Sequence, residues 1–149
     1  MMDHRIVQKA QFTVVGVKRR FNSDTSRIEV PKFWDEWLSR GEDRPVMGTF
    51  GVCCDMDGKD FDYWIADLYF PWEDIPEGCG TRMIPEGLWA EFPCTIETLQ
   101  TVNTRIWSEW LPSLRGYSLA GEYDLEVYLP PKEDGKDMTV CIWVPLKKD

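Results

Sequence analysis

Apolar and polar positions alternate along several short stretches of this chain and recur at helical spacing along two longer ones, so the period itself divides the sequence into elements. Residues 11–20 (QFTVVGVKRR) are rich in β-branched side chains and read as a strand. Residues 30–40 read as a helix with Pro31 in its first turn and Gly41 just past its end; Phe33, Trp34, Trp37 and Leu38 share one face. Residues 48–55 and 61–70 read as strands joined through Met56-Asp57-Gly58-Lys59, where Asp-Gly supplies the positive φ of a tight hairpin. The stretch 71–80 (PWEDIPEGCG), rich in Pro, Gly and acid, reads as a connection. Beyond it come a strand over 87–94 and a helix over 97–111, with Thr95 as N-cap and Pro112 as stop. A loop over 113–121, a strand over 122–129, a turn over 130–136 and a strand over 138–146 complete the chain.

The second series repeats the first. Trp34-Asp35-Glu36-Trp37-Leu38 returns 73 residues on as Trp107-Ser108-Glu109-Trp110-Leu111, and Asp57-Gly58-Lys59-Asp60 returns 77 residues on as Asp134-Gly135-Lys136-Asp137. Two echoes in the same order at nearly constant spacing mark a duplicated β-α-β-β unit. The predicted class is α+β: antiparallel strands in two units related by a pseudo-two-fold, with helices on one face and a central cleft on the other. One domain over 1–149 accommodates this, with a first repeat over about 5–70, a connection over 71–83 and a second repeat over about 84–147. Seams between such units are places where small-molecule clefts form.

Strand alternation predicts what faces that cleft. Leu125, Val127 and Leu129 fall on one side of their strand, with Asp124, Glu126 and Tyr128 on the other. In the hairpin partner Val140, Ile142 and Val144 make the aliphatic side, leaving Thr139, Cys141 and Trp143 opposite. The offset carried back places Tyr63, Ile65, Phe50 and Val52 in the core; Asp62, Trp64, Ala66, Thr49, Gly51 and Cys53 then lie on the open face. Leu88, Ala90 and Phe92 suit the core, and Trp89 and Glu91 the open face. The expected groove therefore carries Trp64, Trp89, Tyr128 and Trp143 around Glu126 and Glu91, with Cys141 beside them. Indole faces attract cations, and a carboxylate among rings gains by neutralising a bound positive charge. The same desolvation turns a glutamate into a usable general base. Trp34, Trp37, Trp107 and Trp110, at helical spacing, read as core, and Glu36 and Glu109 as solvent-facing.

Composition narrows the chemistry further. Eight Trp in 149 residues is well above the usual share, so some of the indoles are candidates for more than core filling. A net charge of −9 repels phosphate backbones, and the basic runs are confined to Lys18-Arg19-Arg20 and Lys147-Lys148, which argues against direct nucleic-acid binding. Five Cys without a C-x-x-C spacing point to a reducing, cytoplasmic location and to no disulfide framework. With His4 the only histidine, no group has metal-ligand spacing and no metal or other cofactor is expected; for the same reason Cys141 lacks an orienting base as a nucleophile. No apolar run approaches the roughly 20 residues of a membrane span.

Phe50-Gly51-Val52-Cys53, Phe61-Asp62-Tyr63-Trp64-Ile65, Ile75-Pro76-Glu77-Gly78, the run from Ile84 to Phe92, Trp107-Ser108-Glu109-Trp110-Leu111 and Tyr123-Asp124-Leu125-Glu126-Val127-Tyr128 occur here in the order in which similar strings occur in the GyrI-like small-molecule-binding domain. That domain, of SOUL/Rob-like fold, is also the effector-binding part of AraC-type and MerR-type regulators, and the resemblance runs from about Arg5 to Lys147. It implies a pseudo-two-fold domain whose cleft takes hydrophobic, often cationic aromatic compounds, with a cleft glutamate that falls on Glu126. The leading expectation is a standalone small-molecule-binding protein. Standalone relatives also imply two alternatives: a hydrolase of cyclopropane-bearing electrophiles using Glu126 with Tyr128, and a gyrase-inhibitor-like factor that acts on a separate protein partner. A monomer or a homodimer fits each of these readings.

Overall fold

A computed structural model of the chain describes residues 2–129 and 139–149. The expected turn over 130–136, the second Asp-Gly-Lys-Asp string and the start of the last expected strand at Met138 lie outside the described residues. The chain forms two compact units, one of residues 12–84 and one of residues 85–149 together with the N-terminal segment up to Gln11. Each is antiparallel sheet with helix on one face.

The chain opens with β1 (Arg5–Lys9), a strand of the second unit. The first unit then contains β2 (Phe12–Asn22), α1 (Ser26–Leu38), β3 (Phe50–Asp57), β4 (Asp60–Tyr69) and β5 (Gly80–Ile84), ordered β3-β4-β2-β5 in its sheet. Strand β5 falls where the sequence pattern shows only a connection. It is short, and the Gly and Cys before it hide its alternation. Helix α1 starts a turn earlier than its apolar period suggests. The amides of Ile28 and Glu29 both donate to the Thr25 carbonyl at 3.0 Å, so a first turn forms ahead of Pro31, which ends up inside the helix. Pro31 costs that turn one backbone hydrogen bond.

The helix-bearing face of this sheet presents Val15, Phe61, Tyr63 and Ile65 to Phe33 and Trp37, with Val46 closing the cluster. Opposed residues of an antiparallel ladder share a face. Because Val52 lies opposite Trp64 and Phe50 opposite Ala66, both belong to the helix-free side, and Gly51 and Cys53 to the helix side. This reverses the expectation for β3. Alternation there had two admissible phases, since Phe50, Val52 and Cys54 on one face and Cys53 on the other are all apolar, and only the register selects between them. The helix-free face is itself closed, with Val14, Val52 and Ala66 fully buried and Trp64 5% exposed.

The second unit holds β6 (Gly87–Thr95), α2 (Leu99–Arg105), a π-helical turn (Ile106–Trp110), α3 (Leu111–Ser113), β7 (Tyr117–Leu119), β8 (Asp124–Tyr128) and β9 (Thr139–Lys148). Its sheet runs β1-β6-β9-β8, with β7 also on β9. The helical segment passes Pro112 and ends at Ser113; Pro112 follows directly on the π turn and, lacking an amide, leaves the last turn one backbone hydrogen bond short. Thr98 rather than Thr95 stands at the N-cap position, and the two threonines are cross-bonded by Thr95 N–H to Thr98 Oγ1 at 3.0 Å and Thr98 N–H to Thr95 Oγ1 at 3.2 Å. Ala90, Phe92, Ile142, Val144 and Leu146 form the helix-bearing face against Ile106 and Trp110. His4 is absorbed by this core, 5.0 Å from the Trp110 ring and 5.5 Å from Phe92.

Strand β8 departs from the expected phase as β3 does. Glu126 lies opposite Ile142 and Tyr128 opposite Val140, whereas Leu125 lies opposite Trp143 and Val127 opposite Cys141. Glu126 and Tyr128 therefore belong to the helix-bearing side, and the buried Leu125 and Val127 to the side of Trp143. Both sides of β8 are partly apolar, so alternation within the strand does not say which side the helix covers.

Gly16 is where the first unit packs backbone on backbone. It lies opposite both Ala66 and Gly80, and a Cβ there would stand 2.0 Å from the Ile65 carbonyl oxygen and 2.7 Å from the Ala66 Cα. No flexible side chain can yield at that point. Gly16→Ala should lower the unfolding free energy by about 3 kcal/mol, the upper part of the overpacking range. Urea titration checks this, and a loss below about 0.5 kcal/mol, the scale of a neutral surface change, would show that the ladder adapts.

Candidate functional site

The seven residues predicted to ring one groove are distributed by the register over different faces. In the second unit Trp89, Glu91, Cys141 and Trp143 lie on the helix-free side, where Glu91 is directly opposite Trp143 and Pro93 opposite Cys141. Trp89 is 1% exposed and Glu91 5%. The Trp89 and Trp143 rings are 6.1 Å apart and tilted by 58°, and the Tyr123 ring stands edge-on to Trp89 at 5.7 Å. This is the expected combination of carboxylate and rings, and a cation occupies it. Lys9 places its ammonium 3.9 Å from the centroid of the Trp143 ring and 2.8 Å from Glu91 Oε2, and Arg5 Nε donates to Glu91 Oε1 at 2.6 Å.

Strand β1 supplies both cations, because Arg5 and Lys9 are four apart in an extended strand and so share the face of Glu91. Their spacing in Arg5-Ile6-Val7-Gln8-Lys9 is visible in the sequence, but nothing local says which carboxylate they meet. Burial pushes the Glu91 carboxyl up; hydrogen bonds from Lys9 and Arg5, and their charges, more than offset this and hold it below the ordinary 4.5. The Cys141 thiol is raised by burial and by the Glu91 charge, which leaves it a poor nucleophile near neutral pH.

Glu126 and Tyr128 form a second group on the helix-bearing side of the same unit. Both are half-buried on β8, and in their neighbouring rows stand Ile142 with Phe92 and Val140 with Cys94. The Cys94 thiol registers this environment: burial first, then the negative charges of Cys141 and Glu126, push it up to about 11. Glu126 is thus close enough to a desolvated thiol to act on it, and Cys94 is a residue of this surface that the sequence pattern did not single out.

Trp64 stands in the first unit, on the helix-free face, with the Lys18 ammonium 5.7 Å from its ring centroid. Its indole N–H is buried and has no hydrogen-bond partner among the described residues, as is also true of Trp89. By contrast Trp34 and Trp37, read as core, donate to the Tyr63 hydroxyl at 2.8 Å and the Val46 carbonyl at 3.3 Å. Among the described residues no group of three or more Cys, His, Asp or Glu could hold a metal ion, and no helix is long and apolar enough to cross a membrane.

Both units are antiparallel sheet with helix on one face, and the buried Glu91 and the half-buried Glu126 both lie in the second. The chain belongs to the family described as integron-associated effector binding protein, Cass2, whose model matches residues 5–146. No curated protein sequence matches it. Solved structures share the fold. SAV2435 bound to tetraphenylphosphonium is 17% identical, with 98% of this chain and 94% of that chain covered and a TM-score of 0.80. The integron cassette protein VCH_CASS2 from the mobile metagenome of Vibrio cholerae is 13% identical, with 97% and 95% covered and a TM-score of 0.71. The C-terminal domain of EcmrR is 14% identical, with 99% and 98% covered and a TM-score of 0.62. The resemblance to GyrI-like effector-binding domains, carried by the order of the motifs along the chain, is thereby met at the level of family and fold.

Glu91 gives a direct test of the ion-pair description. Glu91→Gln should cost about 2 kcal/mol at neutral pH, the range for hydrogen bonds to a charged group, reduced on the Arg5 side by that residue's exposure. Because the folded carboxyl titrates below 4.5, its stabilisation is complete above that value and is lost as the pH falls through the lowered one. The difference between wild type and variant in denaturant midpoint should therefore shrink in acid. A difference that stays constant down to low pH would contradict the pairing.

Proposed function

We propose that this chain is a small-molecule-binding protein for flat apolar or cationic compounds, with Glu126 as the counter-ion and Tyr128 as the adjacent aromatic surface. The observation that carries this reading is the half-buried position of Glu126 in a row with Ile142 and Phe92 on the helix-bearing side. A half-buried carboxylate in a row with apolar side chains suits a bulky organic cation that brings its own apolar surface. Glu91 is a weaker candidate for this role, since Arg5 and Lys9 already neutralise it. Trp89, Trp143 and Cys141 share its face, where the Lys9 ammonium lies over the Trp143 ring. Membership of an effector-binding family supports the binding reading, and a neighbour of the same fold is described with tetraphenylphosphonium bound.

Isothermal titration with tetraphenylphosphonium tests the assignment. Glu126→Gln should weaken binding about tenfold, or 1.4 kcal/mol, by removing the charge while keeping the shape. Glu91→Gln should leave the affinity within about twofold, the scale of a change with no differential contact to the ligand. Absence of saturable heat with the wild type, or equal loss in both variants, would overturn the role given to Glu126. Mass spectrometry of the recovered compound, run with an electrophilic cyclopropane in place of the phosphonium, separates binding from turnover. An added water would move the same carboxylate into the role of general base.

A further inference from the structure

We infer that the turn after β4 is a docking site for a protein partner whose surface is both basic and apolar. Trp72 is 79% exposed and lies flat on Phe70, itself 38% exposed, with ring centroids 4.9 Å apart and planes 11° from parallel. Ile75 in the same turn is 49% exposed, and Leu68, on the same side of the chain two residues before Phe70, is 39% exposed. The sequence pattern reads 71–80 only as a connection, and the exposure of Trp72 is a feature that it does not report. Contiguous exposed aromatic area of this kind marks interaction sites, and tryptophan is among the residues that dominate them energetically.

The turn is ordered by its own bonds. The Glu73 amide donates to the Phe70 carbonyl at 2.9 Å, the Tyr69 hydroxyl to the Glu73 carbonyl at 3.1 Å, and the Cys79 amide to the Pro76 carbonyl at 3.0 Å. Stacking on Phe70 holds the indole without covering it, so part of the entropy of fixing a large side chain is met before any partner arrives.

Charge identifies the partner. Between Tyr69 and Thr81 the sequence carries Glu73, Asp74 and Glu77 and no Lys or Arg. All three carboxylates are exposed, and among the described residues none is part of an ion pair, although eight pairs occur elsewhere. Unpaired carboxylates around open ring faces attract Arg and Lys, which stack on the rings and pair with the acids. A second copy of this chain would bring the same three carboxylates against themselves, and like-charge juxtaposition disfavours it. An anionic lipid surface is disfavoured in the same way.

Fluorescence anisotropy of a labelled amphipathic helical peptide of Leu and Arg tests the surface on the full chain, with the Leu and Glu version as control. Binding should be salt-sensitive and specific to the basic peptide. Phe70→Ala with Trp72→Ala should weaken it at least about tenfold, as expected for hot-spot rings. Glu73→Gln with Asp74→Asn and Glu77→Gln should weaken it and flatten its salt dependence, while Glu29→Gln with Glu42→Gln and Asp43→Asn, which removes as much charge elsewhere, should not. Equal loss in the two charge-neutralised variants would reduce the effect to bulk attraction and overturn the site. So would no binding, or a Trp72-dependent shift on phosphatidylcholine vesicles, which would make the patch a lipid-facing one. All substituted side chains are exposed, and thermal melts identify any variant that fails to fold.

Discussion

Antiparallel register is the constraint from which the remaining features of both units follow. Opposed residues share a face, so once Glu91 stands opposite Trp143 and Leu125 on the other flank stands opposite the same indole, every side chain of β6, β8 and β9 is assigned. The helix then covers Phe92 and Ile142, Glu126 falls in their row, and Glu91 falls on the far side with Trp89. A slip of one residue would exchange the two carboxylates between faces. The protein guards against it with side chains that fit only one side: Ala90 and Phe92 under the helix, and at Gly16 in the other unit no side chain at all.

Two carboxylates of similar sequence context acquire different chemistry from that register. Glu91 combines burial with two cations and two indoles, which is the composition of an organic-cation site, yet its cation is the Lys9 ammonium of the same chain. Tethering makes the association intramolecular, and the effective concentration of a tethered ammonium far exceeds that of a dissolved ligand. Glu91 therefore works as a clasp for β1. Glu126 lies outside the reach of β1, at the opposite flank of that unit's β1-β6-β9-β8 order.

How much of this is legible in the sequence depends on whether a signal is local. The two helices, the hairpin at Asp57-Gly58 and the core roles of Trp37, Trp110, Ile65 and Ile142 follow from period and turn chemistry, and all appear in the structure. Strands β1 and β5 are short segments whose status depends on a neighbour from elsewhere in the chain, which no local period reports. The phase of β3 and β8 is hidden for a different reason: each strand is apolar enough on both sides for either assignment. The clasp on Glu91 is invisible because a strand pairing brings Arg5 and Lys9 to it across more than half the chain.

The duplicated helix motif shows how the two units came to differ. Trp34 and Trp107 are equivalent by the repeat, and each is a donor with one bond to make. In the first unit the Trp34 indole donates to the Tyr63 hydroxyl at 2.8 Å, which ties α1 to β4 by a directional bond. The repeat offset takes Tyr63 to Val140, which has no hydroxyl to offer. Trp107 accordingly donates within its own helix, to Asn103 Oδ1 at 3.2 Å, and the motif there forms a π-helical turn, with the Ser108 hydroxyl bonded to the Thr104 carbonyl at 2.7 Å. Hydroxyls that bond back to a carbonyl four residues earlier bend helices, and single π turns inside helices recur at functional sites. In the second unit Ile106 and Trp110 press the π turn on the sheet through apolar contacts, which are non-directional and accommodate sliding more readily than a bonded indole does. The second unit's helix is thus held on its sheet by apolar packing, whereas that of the first is also tied to its sheet by a directional bond.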